Sequence, residues 1–412
     1  MARHVLQVLV FSAASALGAG AGESERAREL VSRVAEGDAK VARRSLAELK
    51  SLGKEGEDAL LQGWMRLPAP YDEEALALLV DRNNEASLAA LEAALGRPRV
   101  ELRRLAAARV SDLLKAHPDR ATDILCRLLR DPDPEASDGA AGAIAGWGLE
   151  RAWRPLLQSV EGLVAAGKGL DRIELRIRAL AAVLARHPAE LRVREVLDRA
   201  AGCDDPELEA LWLGVLVESQ SAPAFAALRE VAQACWSQDP EALEALGLTA
   251  RPELRALALR GLAADPESDP LLLRGLRDGS SAVRVQALRA LRVRPLPEPR
   301  RTAAIEGVVG LLADADPSLR QEAHRWLKAV TRQDLPLSLI AWQRWSGQRA
   351  AEVRLTTALD EWARGVGHAS FEALLQATGY RDREAWLRDE GYESWERFLR
   401  DQEAAAGKED AE

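Results

Sequence analysis

Four histidines lie beyond residue 21 of this 412-residue chain, and their neighbours decide what chemistry they can do. His117 and His187 occur in one phrase, Leu-x-x-His-Pro, at Leu114–Pro118 and again 70 residues later at Leu184–Pro188. A histidine in a last helical turn suits the negative helix end, and the proline stops the helix. These two are therefore expected to be punctuation. His324 sits between helical residues next to Arg325 and Trp326, and His368 in a glycine-rich turn. Neither has a histidine, cysteine or aspartate at ligand spacing, so no metal site is expected.

The acidic groups Asp72-Glu73-Glu74 and Asp204-Asp205 are as dense as a chain with 65 acids makes by chance. They mark no acid–base couple, which needs a cleft and a shifted pKa. Gly139–Gly148 lacks a phosphate-loop lysine and follows no strand, so it reads as a closely packed helix pair. With Trp147 and Trp153 beside it, this is the expected bend of the array. Cys126, Cys203 and Cys235 form neither a zinc pattern nor a disulfide framework. Cys235 continues an apolar series and is expected to be buried. Cys203 lies in a turn, and a Cys203–Cys235 bridge is left open. No catalytic, cofactor-binding or metal-binding residue is assigned, and no cofactor is expected.

The spacing that does carry information belongs to helices. LLLRGLRDGSSAVRVQALRAL (Leu271–Leu291) and VVGLLADADPSLRQEAHRWL (Val308–Leu327) each read as an apolar helix, a polar turn and a second helix. The start of the second helix, with a small residue four later, recurs. It is found at Leu102/Ala106, Ala136/Ala140, Leu175/Ala179, Leu208/Trp212, Leu254/Ala258, Val283/Ala287 and Leu319/Ala323, with a weaker copy at Val41/Ser45. The steps between the first seven are roughly 34, 39, 33, 46, 29 and 36 residues. Two helices per period of that length mark a solenoid. Four-residue spacing keeps both positions on one face. Pro132, Pro206, Pro252 and Pro317 are expected in first helical turns, where no N–H bond is lost.

These residues resemble HEAT repeats, with armadillo-like units the near alternative. The shared pattern is an aliphatic helix followed by Asp-x-Asp-Pro-x-Val-Arg-x-x-Ala. Asp314, Asp316, Pro317, Leu319, Arg320 and Ala323 match it; Asp278, Val283, Arg284 and Ala287 match without the proline. Asp131, Asp133, Pro134, Ala136 and Ala140 match without the arginine. The resemblance implies that Arg284 and Arg320 pair with aspartates between neighbouring units. It covers roughly residues 35 to 330. The stretch Ala329–Arg349 looks like a tail of some exported bacterial HEAT-repeat proteins, with Arg332 in place of a glycine.

Composition agrees with an all-α chain: alanine, leucine, arginine and glutamate dominate, and aromatics are 4%. A net charge of −9 argues against nucleic acid, which needs a concentrated basic surface. Residues 1–21 read as a secretory signal, with Arg3 and His4, an apolar stretch Val5–Leu17 and Ala19-Gly20-Ala21 before the cut. No membrane span is expected in the mature chain.

After about residue 330 the text becomes rich in tryptophan. Trp326, Trp342, Trp345, Trp362, Trp386 and Trp395 lie there or just before, among short helices. They are expected to cap the open apolar end of the array, with a recognition patch as the alternative.

The expected architecture is thus a right-handed α-solenoid of seven or eight HEAT-like pairs over 22–330. A Trp-rich helical cap over 331–402 and a disordered tail over 403–412 follow. The expected role is a non-catalytic periplasmic or extracellular scaffold, presenting a concave face to a protein partner of basic or mixed charge. Its rivals are a HEAT-like enzyme of lyase type and a carbohydrate binder using the carboxy-terminal aromatics.

Overall fold

The computed structural model describes residues 22–36, 38–167, 169–237, 240–246, 248, 250–294, 296–298 and 300–409. The segment read as a signal lies outside them. The described residues are all helical or connecting, with no strand. The chain divides between Leu262 and Ala263 into two compact units. The helix Arg300–Gly310 of the last pair packs on the helix that follows that pair, Leu339–Gly365.

The first unit begins with α1 at residues 22–35. It continues through α2 (Ala39–Ser51), α3 (Lys54–Gly63), α4 (Tyr71–Val80), α5 (Glu85–Leu95), α6 (Val100–Leu113) and α7 (Pro118–Leu128). Next come α8 (Pro134–Trp147), α9 (Trp153–Ala165), α10 (Leu170–Arg186), α11 (Glu190–Ala201), α12 (Pro206–Ser219), α13 (Ala222–Ser237), α14 (Pro240–Leu246) and α15 (Pro252–Gly261). The even helices α2 to α12 touch one another in turn, and α12 touches α15. The odd helices α3, α5 and α7 form a second layer, as do α11 and α13. Each pair thus buries its apolar stripe against the next, the arrangement a helix pair needs because it cannot bury that stripe alone.

The repeated phrase lies on α6, α8, α10 and α12 and then on α15 and on the helices Ser281–Arg292 and Pro317–Thr331, and its residue types explain their starts. Asp133, Asp205 and Asp316 cap helices that open on Pro134, Pro206 and Pro317, each carboxylate accepting a first-turn N–H. Pro252 opens α15 after Arg251. Pro132 does not open a helix; Pro134, two residues on, does. Leu102/Ala106, Ala136/Ala140, Leu254/Ala258, Val283/Ala287 and Leu319/Ala323 are buried as the spacing requires. At the weaker copies the register slips. Val41 is exposed and its neighbour Ala42 is buried, while Leu175 and Leu208 are only half-buried. The pair α3/α4 was not anticipated. Its second helix opens Pro70-Tyr71-Asp72 and carries no aliphatic-arginine start.

Gly139 to Trp147 lie in α8, and Gly148 is its cap. A Cβ on Gly139 would sit 3.4 Å from Ala107 Cβ, and Gly148 ends α8 in the left-handed conformation at φ 62°. That φ suits glycine because it lacks the Cβ that crowds the carbonyl.

The second unit holds α16 (Asp269–Gly275), α17 (Ser281–Arg292), α18 (Arg300–Gly310) and α19 (Pro317–Thr331) as two further pairs. The long α20 (Leu339–Gly365), α21 (Phe371–Thr378), α22 (Arg383–Asp389) and α23 (Trp395–Glu409) follow. Trp342, Trp345 and Trp362, expected among short helices, instead share a single 27-residue helix, α20. Its first half packs on α18 and its second on α21. Arg332, where the resembling tails have glycine, ends α19 at φ 59°. The stretch read as a disordered tail from 403 is helical as far as Glu409, and 410–412 lie outside the described residues.

From Leu359 onward the chain repeats every twelve residues. Leu359, Phe371, Arg383 and Trp395 are equivalent, as are Trp362, Leu374, Trp386 and Phe398. Gly367, Gly379 and Gly391 close three of these units at φ 93°, 79° and 81°. The next residue in each case donates its N–H back to a helix carbonyl: His368 to Ala363, Tyr380 to Leu375 and Tyr392 to Leu387. Ser370, Asp382 and Ser394 accept from N–H groups three residues on.

Candidate functional site

The polar interior is organised around one recurring rung. Arg103 Nε donates to Asp131 Oδ2 at 2.7 Å, and its Nη1 to the carbonyls of Arg97 and Pro98. In the second unit Arg284 Nε donates to Asp314 Oδ2 at 2.6 Å, and its Nη1 to the carbonyls of Asp278 and Gly279. The two sets of contacts are equivalent atom for atom. Each aspartate also holds its own turn, with Oδ1 accepting from the N–H two residues on, at Asp133 and Asp316. Arg284 therefore stands where a ladder residue is expected. Arg320 makes the same two turn contacts, to Asp314 and Ala315, and has no carboxylate within 4 Å among the described residues.

Electrostatics follow from this geometry. Burial disfavours the Asp314 anion, yet the Arg284 hydrogen bond and the Asp316 N–H outweigh it and hold the carboxyl below its usual range. At Asp133 the bidentate Arg104 hydrogen bonds lead, burial opposes, and the Ala136 N–H assists; the carboxyl is lowered to about 2. A group lowered on folding contributes stability that is present above its unfolded pKa of about 3.9 and lost as pH falls toward 2. Carbon-detected NMR should accordingly show Asp133 titrating about two pH units below an ordinary aspartate. Arg104→Gln should return it most of the way, and an unmoved titration would contradict the assignment.

One rung is missing. Ser137 occupies the place of the ladder arginine in α8, and its hydroxyl donates to the Leu129 carbonyl. The neighbouring pair compensates. Arg176 of α10 is 0% exposed and reaches back to Ser137 Oγ at 2.6 Å and Asp138 Oδ1 at 2.5 Å. It also donates to the Arg172 carbonyl and, at 3.4 Å, to Ser159 Oγ. Burial lowers the Arg176 pKa, and the Asp138 hydrogen bond opposes that shift. A cavity of about 300 Å³ lies beside this group, lined by Arg130, Asp131, Ser137, Gln158, Ser159 and Arg172 among others. Arg176 follows Leu175 in the motif's arginine place, as Arg103 follows Leu102 and Arg284 follows Val283. Its partners, 38 and 39 residues back, were not legible, because the unit they belong to lacks its own arginine.

The tryptophans divide into two groups rather than one. Trp342 is fully buried, with His324 edge-on at 6.0 Å and Trp345 at 5.7 Å. Trp362, Trp386 and Trp395 instead join Phe371, Phe398 and Tyr392 in a core made by the twelve-residue units themselves. Trp386 and Trp395 are parallel to within 3°, as a sugar platform would be, yet both are buried. Among the aromatic residues described, Trp147 is the large exposed ring, and it stands singly.

The remaining residues singled out above are dispersed. His117 and His187 take the same backbone conformation, each donating its N–H to a carbonyl four residues back, at Leu113 and Val183. His324 Nε2 lies 2.8 Å from the Leu335 carbonyl. All three cysteines are free, so Cys203 and Cys235 are not bridged. Cys235 is buried, and burial pushes the Cys126 thiol up to about 11, with Asp123 adding to it. Asp72 is buried against Arg99, whereas Asp204 and Asp205 lie in a turn, where Asp205 caps α12. Among the described residues no cluster of three or more His, Cys, Asp or Glu side chains could hold a metal. No described helix is long and apolar enough to cross a membrane.

These features define an all-helical repeat protein whose neighbouring helices pack in pairs. No protein-family model matches the chain, and no curated protein does. Among solved structures it is similar to two engineered proteins from a structural genomics consortium. One is 22% identical, over 82% of this chain and 91% of its own, with a TM-score of 0.33. The other is 18% identical, over 74% of this chain and 96% of its own, with a TM-score of 0.18.

Proposed function

We propose that the chain is a HEAT-like, right-handed α-solenoid that works outside the cytoplasm as a non-catalytic docking scaffold for a protein partner. The recurring rung, Arg103–Asp131 in one unit and Arg284–Asp314 in the other, is the observation that supports the family reading. It fixes one helix pair against the next with the same atoms each time. A stack so fixed is stiff, so a partner laid along it meets a preformed surface and loses little ordering entropy. The second helices of the pairs would line the concave face. The net charge of −9 favours a partner of basic or mixed charge. Trp342, packed with α20 against α18, supports the reading of the first half of α20 as an end cap. Export rests on the character of residues 1–21.

Photo-cross-linking in the native cell envelope tests this. A benzophenone amino acid is placed at exposed second-helix positions, Ala108 and Arg178, and at exposed first-helix positions, Arg127 and Arg194. Capture of one and the same protein from the second-helix positions alone is the expected result. Capture from neither set, or equally from both, would overturn the concave-face scaffold.

A further inference from the structure

We propose that the cavity beside Arg176 binds a phosphate group, taken up either as free inorganic phosphate or on a small phosphomonoester. The site exists because α8 has no ladder arginine. In the complete rungs the arginine side chain lies over its own turn and donates to two turn carbonyls. Ser137 is too short to do so, and the cavity of about 300 Å³ opens along the equivalent turn, at Asp131 and Pro132.

The charge around this cavity does not balance. Arg172 Nε and Arg176 Nη1 both donate to a single atom, Asp138 Oδ1. Arg130 donates to the neutral Gln158 and has no carboxylate within 4 Å among the described residues. Asp131 also lines the cavity, but it is spent on Arg103. The cavity is thus lined by two guanidinium groups, Arg130 and Arg172, and by one carboxylate, Asp131, which Arg103 already holds, in a protein that is acidic as a whole. A buried charge is costly unless paired, and Arg176 shares its one counter-ion with Arg172. A dianion would supply the missing charge, and planar guanidinium groups suit the oxygens of phosphate.

The opposite wall suits the same ligand. The carbonyls of Asp131 and Pro132 have no arginine of their own unit to accept from. A monohydrogen phosphate carries a hydroxyl that can donate to them, as do the alcohol groups of a phosphomonoester. Leu163 and Ala166 add an apolar margin for a short carbon chain.

Calorimetric titration of the full chain at fixed ionic strength tests the proposal, with inorganic phosphate in one arm and glycerol 3-phosphate in the other. Saturable one-to-one binding is expected in at least one arm, and the stronger arm identifies the form recognised. Arg172→Gln and Arg130→Gln should each weaken it about tenfold or more, the loss of a charge-assisted contact. Arg178→Gln, an exposed position of α10 paired with Glu174, should leave it unchanged and controls for net charge. Arg130 is exposed and Arg172 is partly so, hence both variants should keep the wild-type helical circular dichroism. The proposal is overturned if neither ligand binds saturably, or if the two variants bind as tightly as the wild type.

Discussion

Arg176→Ala is expected to lower the stability of the first unit by about 3 kcal/mol, the low end of the range for breaking a buried ion pair. The side chain is wholly excluded from water and makes four hydrogen bonds, three of them across the gap between α10 and the preceding two helices. Its removal leaves Ser137, Ser159 and the Arg172 carbonyl each without a donor they now accept from. It also leaves a void that the flanking helices close only in part. The loss stays near the low end because Arg172 remains on Asp138 Oδ1, so the carboxylate is not abandoned. Arg176→Lys should recover less than half, since one ammonium cannot serve Ser137, Asp138 and Ser159 together. Urea unfolding gives the magnitude, and hydrogen exchange should place the lost protection in α8 and α10. A loss below about 1 kcal/mol would mean that Arg176 is carried by the stack and does not hold it.

Phe398→Ala is expected to cost about 3–5 kcal/mol, and its effect should be confined to the carboxy-terminal helices. Phe398 is 2% exposed, and its ring meets Trp362, Trp386 and Tyr392 at 5.1, 5.3 and 5.2 Å, all edge to face. Such pairs add to the area they bury. Helices α21 and α22 are short, and with α23 they share this core only with the end of α20. Loss of the central ring should therefore unfold them as a group. Near-ultraviolet circular dichroism should fall, and the amides of α21 and α22 should exchange freely, while α6, α8 and α10 keep their protection. Retention of protection in α21 would show that the aromatic core is not what holds these helices.

How much of this was legible depended on whether the cause was local. Asp314-x-Asp316-Pro317 states its own turn, cap and helix start within four residues, and the helices it marks formed where expected. Arg284 was readable because its aspartate belongs to the next copy of the same phrase. The pair α3/α4 was missed because its second helix carries Asp72, held by Arg99, where other copies carry an aliphatic-arginine start. Arg176 stands in the arginine place of the Leu175/Ala179 copy, but its partners were hidden, because they are defined by an absence in another unit. The twelve-residue repeat was missed for a different reason. Counting tryptophans hid that Leu359, Phe371, Arg383 and Trp395 are equivalent, since the unit is kept by Gly379 and Gly391 more than by ring type. The positions of the candidate cavity follow from packing across 30 to 40 residues, which no window along the chain contains.

Helix α20 joins Trp342 of one apolar cluster to Trp362 of the other without a break, and residues 351–357 between them are largely exposed. Twenty residues of α-helix fix their separation along the axis at about 30 Å. The aromatic bundle is thus mounted on a rigid shaft, indexed by helical pitch and not hung from a hinge. Inserting one residue in that shaft would turn the bundle by about 100° and advance it by about 1.5 Å, so the number of residues there sets its orientation like a tooth count.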